Sequence, residues 1–305
     1  MREPKGEAAA ILAALLWGIN YPVVKVVLKT IPESQFLLLR FSLTVLLLCA
    51  YLKATGENFA IAKRDYPRLL LLGLLGVGVY NIIWTYGIHR TTAANAALLI
   101  STSPIFAGLY AVITGEERVS PARWIGTLAA FLGVGLIVAG TPGATFSFAS
   151  DAFRGNLAVL AGSLLFAFYS VIAKPLLTHY SPAKVTTFAM AGGLPVLAAY
   201  AGLTQAGAIW TEFAPSVWLL FAYVVAGGTV AAYILWYKGI KETSPVKAIL
   251  FHYIVPVCSM ILGRLFLGDA ITAGKVAGAL LVFTGLLIVK RGAKPVPAHR
   301  PALPR

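Results

Sequence analysis

Charge is scarce along these 305 residues: 12% are Asp, Glu, Lys or Arg, against 59% hydrophobic. A water-soluble domain usually carries about a quarter charged residues, so a mean hydropathy of +0.82 leaves more apolar surface than a soluble fold can hide. Acids are scarcer still, 11 against 25 bases. In a soluble chain a net charge of +14 would suggest a nucleic-acid partner, but here the bases fall between apolar runs and no such partner is expected. Cys49 and Cys258 are the only cysteines, one in each half and both within apolar runs. They read as buried, reduced thiols rather than a disulfide.

The acids are also absent from the middle of every apolar run. Glu3, Glu7, Glu33, Glu57, Asp65, Glu116, Glu117, Asp151, Glu212, Glu242 and Asp269 all fall at run ends or in connections. A carboxylate carrying protons at mid-membrane depth is thereby excluded, and His252 is left as the one midspan group that titrates near neutral pH. There is no Asp-rich motif, no His pair at helical spacing and no Gly-rich phosphate loop. No catalytic residue, metal ligand or cofactor is therefore assigned, and an intramembrane enzyme is the weakest reading.

What the chain does have is ten apolar runs, at about 8–28, 34–52, 68–88, 92–114, 122–140, 156–177, 184–204, 216–238, 246–267 and 274–290. A bilayer-spanning helix needs about 20 apolar residues, so these predict an all-α integral membrane protein of ten spans with the lipid bilayer as its surroundings. The charged start followed by a long apolar run without a cleavage site reads as a retained signal anchor. Of the 25 Lys and Arg, 18 fall on one set of connections and termini and six on the other, with Arg40 inside the second run. The positive-inside bias then predicts both termini in the cytoplasm of a bacterial-type inner membrane. The proline-rich basic segment 294–305 reads as a disordered tail.

A shift of 152 residues lays the stretch from Trp84 over the stretch from Trp236 without a gap, and brings Gly76 onto Gly228, Gly87 onto Gly239, Pro104 onto Pro256, Glu117 onto Asp269 and Gly133 onto Gly285. A shift of 149 brings Lys25 onto Lys174. The chain therefore reads as two five-helix repeats, 1–150 and 151–293. Five is odd, so the repeats must cross the membrane in opposite senses, and inverted repeats frame a site at mid-depth that either side can reach.

The motifs WGINYP at Trp17 to Pro22, RF at Arg40 and Phe41, the stretch Ala96 to Glu117, the stretch Gly155 to Lys174 and LGD ending at Asp269 resemble the ten-helix, EamA-type members of the drug/metabolite transporter superfamily over nearly the whole chain. The chain is also similar to the aromatic amino-acid exporters of the YddG type. Asp269 stands where the family usually has glutamate. The resemblance implies that spans 1, 3, 4, 6, 8 and 9 surround the substrate path and that 2, 5, 7 and 10 lie outside them.

Polar and aromatic residues within the presumed inner spans are the candidate substrate contacts: Trp17, Asn20, Tyr21, Tyr80, Asn81, Trp84, Asn95, Ser101, Tyr169, Tyr233, Trp236, His252 and Tyr253. An unpaired amide or hydroxyl in hydrocarbon is costly, so each must face a cavity or a neighbouring helix. Rings with a few amides suit an apolar or aromatic solute that also carries an ammonium group. Interhelical bonding, packing or an interfacial belt is the plainer alternative for each. Lys25, Arg40, Lys174 and Arg264 are expected to snorkel to the nearer interface, with guidance of an anionic substrate at the entrances as the alternative for Lys25 and Lys174. Pro22, Pro104 and Pro256 are candidate hinges, because a proline inside a helix removes a backbone bond and favours a kink. Gly274 and Gly278, with Gly126, Ala130 and Gly133 on the fifth run, form small faces that suit packing within a monomer or, alternatively, dimerisation. The expected function is export of small metabolites, most simply amino acids. Carriage of another neutral metabolite or a cationic drug, with or without proton coupling, is the alternative.

Overall fold

The computed structural model describes residues 3–113, 121–140, 147–204, 213–243, 248, 251–252 and 254–291, and every regular element among them is helical. Among the described residues six helices are long and apolar enough to cross a membrane: Pro4–Val27, Glu33–Ala54, Lys63–Arg90, Asp151–His179, Pro182–Thr204 and Pro215–Glu242. They are spans 1, 2, 3, 6, 7 and 8. Span 5 is Pro121–Ala139 and span 10 is Ala273–Arg291. Span 4 is two pieces, Ala93–Ile100 and Ser103–Ile113, and the described part of span 9 is Ile254–Leu267 with the turn before it. Several helices overrun the apolar runs, because polar residues propagate a helix well once it leaves hydrocarbon. The tail 294–305 and Tyr253 lie outside the described residues.

Large apolar side chains stay exposed on the outer spans, among them Leu46 and Leu47 on span 2, Leu128 and Leu132 on span 5 and Leu280 and Leu287 on span 10. Such a surface suits lipid, where helices satisfy their own backbone groups. The small faces lie between spans 5 and 10. Gly133 lies against Gly278 and Val282, Gly140 against Gly274, and Gly285 against Gly126 and Ala130. Close packing inside one chain accounts for them. Cys49 and Cys258 are free thiols, half-buried rather than fully buried.

The two halves are threaded in opposite senses. At one end Lys25, in the last turn of span 1, donates to the carbonyls of Ile88 at 3.2 Å and of Thr91, and the Thr91 hydroxyl donates to Asn156 at 2.6 Å, in the second turn of span 6. At the other end Lys241, closing span 8, donates to the Tyr180 carbonyl at 3.0 Å just past span 6, while Gly6 at the start of span 1 abuts Glu242 and Thr243. Span 1 therefore ends where span 6 begins, and Arg90 and Lys241 lie at opposite ends. The helix pairings obey the same exchange: span 1 packs on spans 8 and 9 as span 6 packs on spans 3 and 4, and span 2 meets span 8 as span 7 meets span 3.

Two irregularities repeat with the halves. Span 3 contains a π-helical segment, Leu74–Val79, and span 8 contains another, Ala226–Ala231, displaced by the same 152 residues that align the sequence. Spans 4 and 9 both restart in mid-course, at Ser103 and at Ile254. Pro104 and Pro256 are the second and third residues of the restarted helices. This differs from the expected kink, because amides of a first turn have no intrahelical acceptor for proline to remove. Pro22 lies inside the continuous helix Glu3–Val27.

A candidate substrate site where the two halves cross

The π segments place the site. Widening a helical turn loosens i→i−4 bonding and leaves carbonyls for side chains to satisfy, which is why such bulges gather at functional sites. In span 8 the Trp17 indole donates to the Gly228 carbonyl at 3.1 Å, and the Thr229 hydroxyl donates to the Val224 carbonyl at 2.7 Å. In span 3 the Asn81 amide donates to the Val77 carbonyl at 2.8 Å. Each bulge is also a crossing point. A methyl group on Gly228 would overlap the Asn20 amide of span 1, and one on Gly76 would overlap the Tyr169 ring of span 6. Only glycine allows these two approaches.

Between the crossings lies a pocket lined by Trp17, Asn20, Tyr21, Arg40, Tyr80, Asn81, Trp84, Phe166, Tyr233 and His252. Trp17 is its hub, edge-on to Tyr233 at 5.4 Å and to Phe166 at 5.9 Å, and tilted against His252 at 5.5 Å. Across from it the Trp84 indole donates to the Tyr21 hydroxyl at 3.3 Å, with the two rings 5.4 Å apart. The rings nearly fill the centre: about 20 Å³ is left, room for about one water molecule. A solute of amino-acid size therefore requires these side chains to move apart.

Eight of the residues expected to meet a substrate thus come together: Trp17, Asn20, Tyr21, Tyr80, Asn81, Trp84, Tyr233 and His252. Trp236 stands directly behind them, 5.3 Å from Trp17 and 5.8 Å from His252, and Tyr169 lies one ring further out, stacked on Tyr237 at 5.5 Å. Two lie elsewhere. Asn95 sits in the first turn of span 4, its backbone amide capped by Thr92 at 3.0 Å and its side chain donating to Asn156 at 3.4 Å. Ser101 returns its hydroxyl to the Ala97 carbonyl at 2.8 Å, at the break in span 4. Tyr253 is outside the described residues.

Arg40 is the main departure from expectation. It does not snorkel: only 2% of it is exposed, and from span 2, expected to stand outside the path, its Nε donates to the Thr229 hydroxyl at 2.7 Å. Lys25 departs too, since the carbonyls it binds are those that close span 3. Lys174 is exposed, beside a groove of about 650 Å³ lined also by Leu177, Thr178, Ile240, Lys241, Glu242 and Thr243. The Lys25 end is laced more tightly. Glu33 binds His89 at 2.6 Å and Arg90 at 2.5 Å, and Ser259 donates to the Ala93 carbonyl at 3.0 Å. Among the described residues no cluster of His, Cys, Asp and Glu is placed to hold a metal ion.

Inverted five-span halves, paired bulges and a polar, ring-lined pocket at their crossing define a polytopic membrane transporter. The EamA-like transporter family matches twice, over residues 4–139 and 153–291. The chain belongs to that family. It is 28% identical to an uncharacterized transporter of Archaeoglobus fulgidus over 92% of this chain and 96% of that one. It is 27% identical to an uncharacterized inner membrane transporter, YicL, of Salmonella typhimurium, covering 93% and 95%. A probable terminal-alkyne amino-acid exporter of Streptantibioticus cattleyicolor is 25% identical, covering 95% of each chain. A solved crystal structure shares the fold with a TM-score of 0.68 at 20% identity, covering 94% of this chain and 96% of that one.

Proposed function

We propose that this transporter exports a small metabolite, an amino acid with an aromatic or other hydrophobic side chain, by alternating access. The observation that carries the reading is the pocket. Its walls are aromatic, and its buried polar atoms without partners include the acceptor Asn20 Oδ1 and the ring nitrogen His252 Nδ1, which accepts when the proton is on Nε2. Rings accept an apolar side chain, while such acceptors suit an ammonium group. The similarity to an amino-acid exporter supports the same substrate class. The two repeats, 1–150 and 151–293, rock against each other about the crossings, with Pro104 and Pro256 at the restarts of spans 4 and 9 as equivalent bending points. The protein acts as a monomer in a bacterial-type inner membrane. The bias of Lys and Arg puts both termini and the Lys174 groove in the cytoplasm and the laced Lys25 end outside.

The test is counterflow in proteoliposomes with labelled Phe, Trp, Tyr, Glu and Lys, with and without a pH gradient. Exchange of the aromatic amino acids, in preference to Glu and Lys and indifferent to the gradient, is the expected result. Preference for Glu or Lys would refute the pocket argument, and accumulation driven by the gradient would refute uncoupled transport. For topology, an impermeant maleimide added to intact cells should label Arg90→Cys and spare Lys241→Cys.

A further inference from the structure

Arg40 is a cation inside the bundle with no anion to answer it. Its Nε is held by Thr229, and its guanidinium carbon lies 5.0 Å from the Phe41 ring, 5.8 Å from Phe36 and 5.9 Å from Trp84, but Nη1 has no hydrogen-bond partner. Among the described residues it makes no ion pair. The acid on its own helix, Glu33, is about two turns away and is engaged by His89 and Arg90. Ring faces attract a cation but do not neutralise it, and an unpaired charge out of water is among the costliest features a fold can hold.

Among the described residues the equivalent crossing, at Gly76, holds no such group. Val77 stands at the position equivalent to Thr229, and it packs over Gly193 of span 7. Ala189, which the shift of 149 brings onto Arg40, is a buried apolar residue. The fold therefore accommodates an apolar crossing here, and the cation is an addition at the crossing of span 8. Arg40 also lines the central pocket, which structural charges tucked behind a helix do not.

We propose that Arg40 is the carboxylate-binding group of the central site. A substrate carboxylate takes the open Nη1 donor while Nε keeps Thr229, a charge-assisted contact in surroundings that strengthen it. The substrate ammonium then faces Asn20 Oδ1, which span 1 lays against Gly228, next to Thr229, and the apolar side chain lies among Trp17, Phe166 and Tyr233. Because Thr229 also bonds the Val224 carbonyl, filling the site bears directly on the π segment of span 8. The assignment rests on the reading of the pocket as the substrate site and adds which end of the substrate is recognised, and by what.

Binding to the purified full-length protein in detergent, followed by scintillation proximity, tests it. The probes are L-phenylalanine and L-leucine, the amines left when each loses its carboxylate, and the acids left when each loses its ammonium group. The expected result is that an amino acid binds, its amine binds about tenfold more weakly or worse, Arg40→Gln lowers the amino acid to the level of the amine, and Arg40→Lys recovers part of the loss. The comparison of amine with amino acid uses the wild-type protein, so it decides even if Arg40→Gln folds poorly on gel filtration. Amines binding as well as amino acids, or a folded Arg40→Gln of undiminished affinity, overturns the assignment and leaves transport of amines standing. Acids that bind while the amino acids do not would uphold Arg40 and sink the amino-acid reading. No binding by any carboxylate in the panel overturns the assignment.

Discussion

The crossing at Gly228 and the crossing at Gly76 have the same backbone and different chemistry. Both are six-residue π segments entered by a helix from the other half. At Gly228 the entering side chain is the Asn20 amide, and the next residue, Thr229, holds Arg40; at Gly76 it is the Tyr169 ring, and the next residue, Val77, packs over Gly193. The lesson is a division of labour. Backbone irregularities are kept in both halves, whereas the buried cation and its hydroxyl partner stand at one crossing, the asymmetry that the proposed recognition of a substrate with two unlike ends calls for.

Alanine at each glycine breaks the comparison in different ways. Gly76→Ala drives a methyl group into a ring that is itself stacked on Tyr237, so nothing nearby can yield without repacking. A loss of about 1–3 kcal/mol is expected, the usual cost of overfilling a packed core, with a fall in melting temperature in detergent and in transport together. Gly228→Ala meets the end of an amide, which can turn away. Its stability loss should be the smaller of the two, while counterflow falls about tenfold because Asn20 is displaced from the pocket. Equal thermal losses with equal residual transport would mean that the two crossings are chemically alike.

Much of this is legible in the sequence. Ten runs of apolar residues leave helices across lipid as the available fold, and glycines, tryptophans and prolines coinciding at one shift betray the repeat, since each needs a special backbone or a large site. The pocket was legible in part for the same reason: polar atoms cannot face hydrocarbon, so Trp17, Asn20, Asn81 and Trp84 had to point inward. Facing is harder to read than depth. Arg40 could have reached an interface by its depth in span 2, and only the rotation of that helix turns it onto Thr229. Asn95 falls in an apolar run as the pocket residues do, yet it occupies the first turn of a helix capped by Thr92, at the level of Lys25. Phe166 is one apolar ring among many, with no mark to separate it. The π segments have no residue signature beyond the paired glycines, because an i→i+5 turn is imposed by the helix that crosses it.

A second comparison, between the two ends, yields the smallest effect. Glu33 joins His89 and Arg90 across the Lys25 end, with side chains 13%, 40% and 29% exposed, whereas the Lys174 end borders a groove of about 650 Å³. Partly exposed pairs contribute under about 1 kcal/mol, so Glu33→Gln should barely change the melting temperature. Its effect belongs to the balance between conformations, where a fraction of a kcal/mol is enough to shift populations severalfold. With Cys49 and Cys258 replaced by serine, Ala93→Cys reports on that end, since Ala93 is buried there beneath the bond from Ser259. Labelling of this cysteine by an impermeant maleimide should rise about two- to threefold when Glu33→Gln is added, with the overall fold unchanged on gel filtration. An unchanged labelling rate would mean that the ion pairs decorate the Lys25 end without holding it shut, and the seal would then rest on the hydrogen bonds from Lys25 to the Ile88 and Thr91 carbonyls and from Thr91 to Asn156.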